Sequence, residues 1–205
     1  MSLESANIPA SMSGVPGERF QAHVGPLDRP IGRGMFVVGF ALLTWAAAKV
    51  SVPLPMTPVP GTLQTLAVLL AGAALGARAG AVSQASYIFM GMAGLPVFAL
   101  PGSGPGYLLG PTGGYLVGFI AAAFVVGSVI KKTGGREALR AALAFLLGAA
   151  TIHACGLAWL SVVLGDPAAA FRAGVLPFVL FDLAKVVVAT GIHAGYLRWK
   201  PATES

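Results

Sequence analysis

The sequence predicts an all-α integral membrane protein, and three observations support this fold class. Hydrophobic residues make up 56% of the 205 residues and charged residues only 10%, with a mean hydropathy of +0.81. Apolar runs recur at lengths close to the ~20 residues that cross a bilayer as a helix. The basic residues gather in alternate links between those runs. We therefore expect six transmembrane helices in a compact bundle, with both termini in the cytoplasm.

The apolar runs define the candidate spans in chain order. They cover residues 35–52, 62–76, 80–95, 114–130, 139–164 and 175–197. The second and third runs are short, so a count of five, with these two merged or one of them re-entrant, is the alternative. Residues 1–30 are polar and rich in Ser, Gly and Pro, which predicts a disordered cytoplasmic tail. The domain organisation is thus a tail (1–30), a six-helix membrane domain (31–200) and a short C-terminal tail (201–205).

Basic residues set the predicted orientation. If six helices cross in sequence, most of them fall on one side, which the positive-inside rule assigns to the cytoplasm. They are Arg29, Arg33, Arg78, Lys131, Lys132, Arg136, Arg140, Arg198 and Lys200. This distribution explains the net charge of +6 by topology and contact with lipid phosphates. It does not indicate a nucleic-acid site.

The sixth span contains an unusual charged pair, Asp182 and Lys185. One charged side chain at the centre of a membrane helix costs on the order of 3 kcal/mol. A separation of three positions places both side chains on one helical face. Such a pair either forms a structural ion pair between helices or binds a polar ligand. Because intramembrane charges usually mark ligand pathways, we favour the ligand.

Two irregular segments, 53–61 and 94–115, are rich in Pro and Gly and are expected on the outer side. The first predicts a stiff strap followed by Gln64, whose amide could contact a ligand or satisfy broken backbone. The second has no Gly-Lys-Ser/Thr ending, which excludes a Walker-type nucleotide site. It is better suited to a lid that presents backbone N–H groups to an anion.

Enzymatic and metal functions have little support in the sequence. The single cysteine, Cys155, excludes a disulfide framework and a cysteine-based metal site. His153 and His193 lie in different spans without carboxylates at ligand spacing, so we expect packing or interhelical hydrogen bonding. Asp182 is the one acid within the spans, which is too little for acid–base catalysis. We therefore predict no catalytic residue, no metal and no cofactor.

Four sequence blocks occur in order along the chain: 53–65, 94–98, the Gly-Pro-Thr-Gly-Gly-Tyr run at 110–115, and Asp182-Leu-Ala-Lys185. Together they resemble the BioY family, the biotin-specific substrate-binding subunits, or S components, of energy-coupling factor (ECF) transporters. The resemblance implies an S-component-like bundle in the bacterial cytoplasmic membrane that binds biotin. It also implies a transmembrane coupling subunit and two cytoplasmic ATPase subunits as partners. The chain has no ATPase motif of its own, so we predict a transport subunit and not an enzyme.

The resemblance places the matching Asp182 and Lys185 in the biotin site, with the aspartate accepting from the ureido N–H groups. The biotin carboxylate has two candidate partners, Lys49 and the backbone at Gly113 and Gly114. Lys49 could instead extend to the membrane interface. Further wall or polar contacts are expected from Gln64, Tyr87, Phe98, Leu109 and Tyr115.

The family also implies a docking face of small residues on the first span, for which Thr44 and Ala48 are the nearest match. Two alternatives to biotin uptake through an ECF transporter are kept. The chain could be an S component for another vitamin, or a stand-alone proton-coupled carrier that titrates Asp182.

Overall fold

The computed structural model describes residues 30–130 and 137–199, which form a helical bundle with one short pair of strands. The α-helices are α1 (Pro30–Lys49), α2 (Gln64–Leu75), α3 (Ala77–Met92), α4 (Pro105–Leu108), α5 (Gly113–Val129), α6 (Glu137–Leu164), α7 (Pro167–Gly174) and α8 (Val179–Trp199). The strands β1 (Ser51–Val52) and β2 (Gly61–Thr62) are antiparallel, and a 3-10 helix (Leu176–Phe178) precedes α8.

Each predicted span contains a helix: α1, α2, α3, α5, α6 and α8, in that order. Within the described ranges, three helical segments are long and apolar enough to cross a membrane by themselves: Ile31–Lys49, Glu137–Leu164 and Pro167–Trp199. Gln64–Leu75 and Gly113–Val129 are apolar but shorter. Large apolar side chains such as Phe89, Leu180 and Val187 lie exposed on the outside of the bundle. This surface is typical of a membrane protein, because lipid replaces water around the helices.

Helix α5 is the centre of the bundle and packs against α2, α3 and α6. Glycines allow this close approach. A Cβ atom at Gly72 would lie 2.6 Å from the carbonyl oxygen of Ala123, and one at Gly118 would lie 3.1 Å from the Cα of Ile152. Larger side chains at these positions would push α2 or α6 away from α5.

Two segments meet at one end of the bundle, which we call the loop end. Residues 53–60 connect β1 to β2, and residues 93–112 connect α3 to α5 through the single turn α4. The second segment has positive φ at Gly94, Gly102 and Gly104, a conformation that favours glycine. Both segments contribute to one cavity wall, through Val59 and Pro60 from the first and Phe98 from the second.

The connection after α6 contains a helix that the apolar runs do not predict. Residues 165–174, between the fifth and sixth predicted spans, contain α7, which begins at Pro167. The Asp166 side chain caps this helix by accepting hydrogen bonds from the N–H groups of Ala168 (2.8 Å) and Ala169 (3.2 Å). An aspartate at the N-cap followed by proline is a recognised helix start, so the signal was present in the sequence.

Other predictions concern residues outside the described ranges. The predicted disordered tail lies there except for Pro30, which belongs to α1, and so do residues 201–205 and most of the basic link between α5 and α6. The structure therefore does not test what the sequence predicts for these segments.

Candidate functional site

The centre of the site is a group of three side chains from two helices, His153 of α6 and Asp182 and Lys185 of α8, which we call the polar triad. Asp182 accepts from Lys185 Nζ at 2.7 Å through Oδ1, and its Oδ2 lies 2.6 Å from His153 Nε2. The side chains of Asp182, Lys185 and His153 are only 9%, 12% and 16% exposed. The interhelical hydrogen bond predicted for His153 is thus present, and its partner is the key aspartate.

The polar triad lines a cavity at the loop end of the bundle. Most of the wall is aromatic or aliphatic, with a few hydroxyl and amide groups between. Besides the triad, the lining residues are Val59, Pro60, Thr62, Gln64, Thr65, Phe98, Ala99, Tyr107, Thr112, Tyr115, Leu116, Phe119, Ile152 and Phe178. A mainly apolar cavity with a small number of convergent polar groups is the usual form of a small-molecule site.

The triad has unused hydrogen-bonding capacity. Lys185 has three N–H donors; one binds Asp182 and a second lies 3.4 Å from the Thr65 hydroxyl. Each Asp182 oxygen is engaged once and has a second lone pair. The ion pair is also neutral as a unit. The triad can therefore accept N–H groups and donate to a carbonyl of an uncharged polar ligand.

A hydrogen bond joins Gln64, which lines the cavity, to Tyr87, which lies behind the cavity wall. The Gln64 side chain lines the cavity and donates from Nε2 to the Tyr87 hydroxyl at 2.7 Å. Tyr87 is fully buried, donates in turn to the carbonyl oxygen of Val97 at 3.2 Å, and does not line the cavity. In this structure Tyr87 holds Gln64 and the 93–112 segment, and its predicted direct contact with a ligand stays a prediction.

Phe98 closes the cavity from the loop end. Its ring stacks on Tyr107 with centroids 4.2 Å apart and meets Tyr87 edge-on at 5.9 Å. The ring fills the space beside Gly91, where any Cβ would collide with it. Leu109, expected in the same wall, is 71% exposed and lies outside it.

Lys49 is exposed at the end of α1, and its ammonium group binds the backbone of the 93–112 segment. Its Nζ donates to the carbonyl oxygens of Pro96 (2.7 Å) and Phe98 (3.1 Å), and the residue does not line the cavity. The ammonium group therefore ties the end of α1 to the segment that carries Phe98. Two of its three N–H donors are used in this way.

Tyr115 lines the cavity and is fixed at both ends of its side chain. Its hydroxyl donates to the carbonyl oxygen of Gly174 at 2.8 Å, and its ring occupies the space beside Gly156. Gly113 and Gly114, expected to contact an anion, lie outside the cavity wall. The space for a side chain at Gly114 is filled by Trp159 of α6, and at Gly113 by the carbonyl oxygen of Leu108. These glycines permit close packing, and their predicted contact with an anion stays a prediction.

The docking face predicted on α1 rests on two residues that are buried in this structure. Thr44 and Ala48 are both 0% exposed, and the Thr44 hydroxyl lies 3.2 Å from Gln84 Oε1 of α3. Their small side chains let α1 pack within this bundle. A fully buried residue cannot present a free surface to another subunit.

His153 is the member of the polar triad that the sequence analysis missed. No carboxylate lies near His153 in the sequence, because its partner Asp182 is 29 residues away on another helix. An available signal was its position inside an apolar span, where an ionisable residue is by default a functional candidate. Among the described residues, no group of three or more His, Cys, Asp or Glu side chains could hold a metal ion.

The chain was compared with known proteins. The model of the BioY family matches residues 23–202. The biotin transporter BioY of Thermotoga maritima is 42% identical over 151 residues, covering 73% of this chain and 86% of that protein. The probable biotin transporter BioY of Pyrococcus horikoshii is 40% identical over 150 residues, with the same 73% and 86% coverage.

A solved structure shares the fold. The crystal structure of the S-component for biotin from an ECF-type ABC transporter superposes with a TM-score of 0.76 over 82% of this chain and 92% of that one, at 23% identity. At this identity the likeness establishes the fold alone. The family match, which spans nearly all the described residues, and the identity to the curated relatives confirm the resemblance noted in the sequence: the chain belongs to the BioY family.

Proposed function

We propose that this protein binds biotin as the substrate-specific S component of an ECF transporter and carries it across the bacterial cytoplasmic membrane. The observation that carries the proposal is the polar triad, a neutral ion pair with spare donors and acceptors in an apolar cavity. Biotin offers a matching group, a ureido ring with two N–H donors and one carbonyl acceptor. Its thiophane ring suits the aromatic wall.

In this arrangement the Asp182 carboxylate accepts from the ureido N–H groups and Lys185 donates to the ureido oxygen. Phe98 and Tyr115 flank the apolar rings, and Gln64 supplies a further amide contact. Each assignment uses a side chain that lines the cavity and has capacity left for one more hydrogen bond or ring contact.

The biotin carboxylate needs a donor or an opposite charge. Within the described residues, we favour the Thr112 hydroxyl, which lines the cavity at the N-cap of α5 and makes no side-chain capping bond. The N-terminus of a 17-residue helix favours an anion through its dipole. Lys49 and the backbone at Gly113 and Gly114 are less suited, since they pack outside the wall.

The chain crosses the membrane six times in this proposal, with both termini cytoplasmic. It works with a transmembrane coupling subunit and two ATPase subunits, which supply the energy. The opposite ends of the helices differ in a way that supports this orientation. Arg33 at the start of α1 and Arg198 at the end of α8 lie away from the loop end, where the cavity lies.

The test begins with the wild-type protein purified in detergent, examined by mass spectrometry for co-purified biotin and by equilibrium binding of radiolabelled biotin. Lys185→Ala should remove tight binding, while His193→Gln, a change on α8 outside the cavity wall, should leave it unchanged. A panel of other vitamins belongs in the same assay. Binding of another vitamin in place of biotin would contradict the ligand assignment and support an S component of different specificity.

A stand-alone proton-coupled carrier is the second candidate, because Asp182 lies within 2.6 Å of an imidazole inside an apolar bundle. Charged and imidazole groups in such positions occur in proton pathways. Uptake by the chain alone that collapses with a protonophore would support this carrier. Sustained uptake that depends on ATPase partners would contradict it.

A further inference from the structure

We propose that His153 is a positioning residue for ligand recognition: its Nε2–H group fixes the Asp182 carboxylate in the orientation that receives the N–H donors of the ligand. This inference rests on the proposed function, because it concerns the same site. The short distance between His153 Nε2 and Asp182 Oδ2, 2.6 Å, carries it. The contact joins α6 to the first turn of α8.

The position of the proton follows from the surroundings. Lys185 lies 2.7 Å from Asp182 Oδ1 and favours the ionised carboxylate, which only accepts hydrogen bonds. Nε2 must therefore be the donor. A second proton on Nδ1 would add a positive charge near Lys185, and Nδ1 is buried with no hydrogen-bond partner among the described residues. The neutral form with the proton on Nε2 is the one that fits.

Two donors from different helices hold the two carboxylate oxygens. Lys185 is on the same helix as Asp182, so this bond alone leaves the carboxylate able to rotate with a flexible four-carbon partner. The imidazole is stiffer and is held between Phe178 and Tyr115, with ring centroids 6.3 Å away in each case. His153 thus supplies the fixed direction, and the remaining lone pairs of Asp182 are oriented before the ligand arrives.

The main test compares a substitution that keeps an aromatic ring without the N–H donor with one that keeps a donor without the ring. His153→Phe retains an aromatic ring between Phe178 and Tyr115 but has no donor. His153→Gln retains an N–H donor at similar reach. In detergent-purified protein we expect His153→Phe to weaken radiolabelled biotin binding about tenfold to hundredfold, the range for a hydrogen bond to a charged group. His153→Gln should recover most of this loss.

A second substitution shows whether His153 acts through Asp182. The loss caused by His153→Phe should nearly disappear in an Asp182→Asn background, because the carboxylate to be oriented is gone. This comparison uses ligand concentrations high enough to measure the weakened binding. Wild-type affinity in His153→Phe, no recovery in His153→Gln, or equal losses in both backgrounds would overturn the inference.

A ligand-independent readout keeps this inference separable from the proposed function. ¹⁵N NMR of histidine-labelled protein, with the His153 signals assigned by their loss in His153→Gln, should show a proton on Nε2 and none on Nδ1. A proton on Nδ1 alone would overturn the positioning role whatever the ligand. Absence of biotin binding by the wild type, with the expected tautomer present, would instead contradict the proposed function.

Discussion

Two of the polar groups inside the described part of this apolar bundle differ in what they leave unused. The polar triad is charged, partly accessible and lines a cavity. The second group joins α1 to α3 and consists of Thr44, Ser83 and Gln84, each 0% exposed. Its hydrogen bonds are internal: the Thr44 hydroxyl lies 2.9 Å from the Phe40 carbonyl oxygen and 3.2 Å from Gln84 Oε1. We call it the α1–α3 polar cluster.

The difference teaches that a polar residue within an apolar span does not by itself mark a ligand site. The α1–α3 polar cluster is uncharged and does not line the cavity of the triad, so its bonds serve to hold two helices together. The triad combines charge, a cavity and unused hydrogen-bonding capacity. A ligand in the cavity can bond to the triad, whereas it cannot reach the α1–α3 polar cluster.

Asp182→Asn should have the largest effect on binding. It removes the anion, leaves Lys185 without its partner, and turns one accepting oxygen into a donating amide. We expect biotin affinity to fall at least about a hundredfold, as found when one member of a buried charge pair is lost. Equilibrium binding measures this change, with monodispersity in detergent as the check that the protein is folded. Unchanged affinity would remove the triad from the site.

Lys49→Met should have an intermediate and mainly kinetic effect. The substitution keeps much of the apolar stem but removes the donors to the Pro96 and Phe98 carbonyl oxygens. The segment that carries Phe98 should then open more readily, so we expect biotin to dissociate about tenfold faster. Exchange of bound radiolabelled biotin against unlabelled biotin measures this rate. An equal rate in mutant and wild type would show that Lys49 does not hold the segment closed.

Thr112→Val should have a smaller effect that depends on the ligand. It removes the hydroxyl proposed to contact the biotin carboxylate and keeps the shape of the side chain. We expect about a fivefold loss of affinity for biotin, comparable to one hydrogen bond, and no loss for biotin amide. Competition assays with both ligands measure the two values. An equal loss for both would show that the substitution perturbs the cavity and not the carboxylate contact.

Gln84→Leu should leave binding within about twofold of wild type, the smallest effect of the series. It leaves the Thr44 hydroxyl with one partner fewer and should lower the free energy of unfolding by about 1–3 kcal/mol. Thr44→Val combined with Gln84→Leu should cost less than the sum of the single changes, because both partners are then apolar. Thermal unfolding in detergent measures stability. A large loss of biotin affinity in a folded Gln84→Leu protein would contradict the division between the two polar groups.

Much of this division was visible in the sequence, and the reasons are physical. Hydropathy located α1, α2, α3, α5, α6 and α8 but not α4 or α7. The cost of burying charge identified Asp182 and Lys185 as site candidates. Gln64, Phe98 and Tyr115 were also predicted, and the structure brings them to the same cavity wall. Gln64 follows the irregular segment 53–61, and Phe98 and Tyr115 lie in the irregular segment 94–115. Irregular backbone at membrane depth is tolerated only where protein or a cavity covers it.

The differences between prediction and structure concern residues whose surroundings depend on the packing of helices distant in sequence. His153 was missed because its partner lies on another helix, and no spacing rule predicts which helices become neighbours. Gly113 and Gly114 were assigned to an anion because glycine serves both as a backbone donor site and as a packing contact. Thr44 and Ala48 were assigned to a docking face because small residues suit internal and external helix contacts equally.

The central claim, that the polar triad recognises the ureido group, is tested most directly by competition of two analogues against radiolabelled biotin on the wild-type protein. Desthiobiotin keeps the ureido ring and lacks the sulfur, whereas 2-iminobiotin replaces the ureido oxygen with a nitrogen that donates, facing the Lys185 ammonium. We predict that desthiobiotin competes within about tenfold of biotin and that 2-iminobiotin is at least about a hundredfold weaker. Equal competition by 2-iminobiotin and biotin would contradict the account.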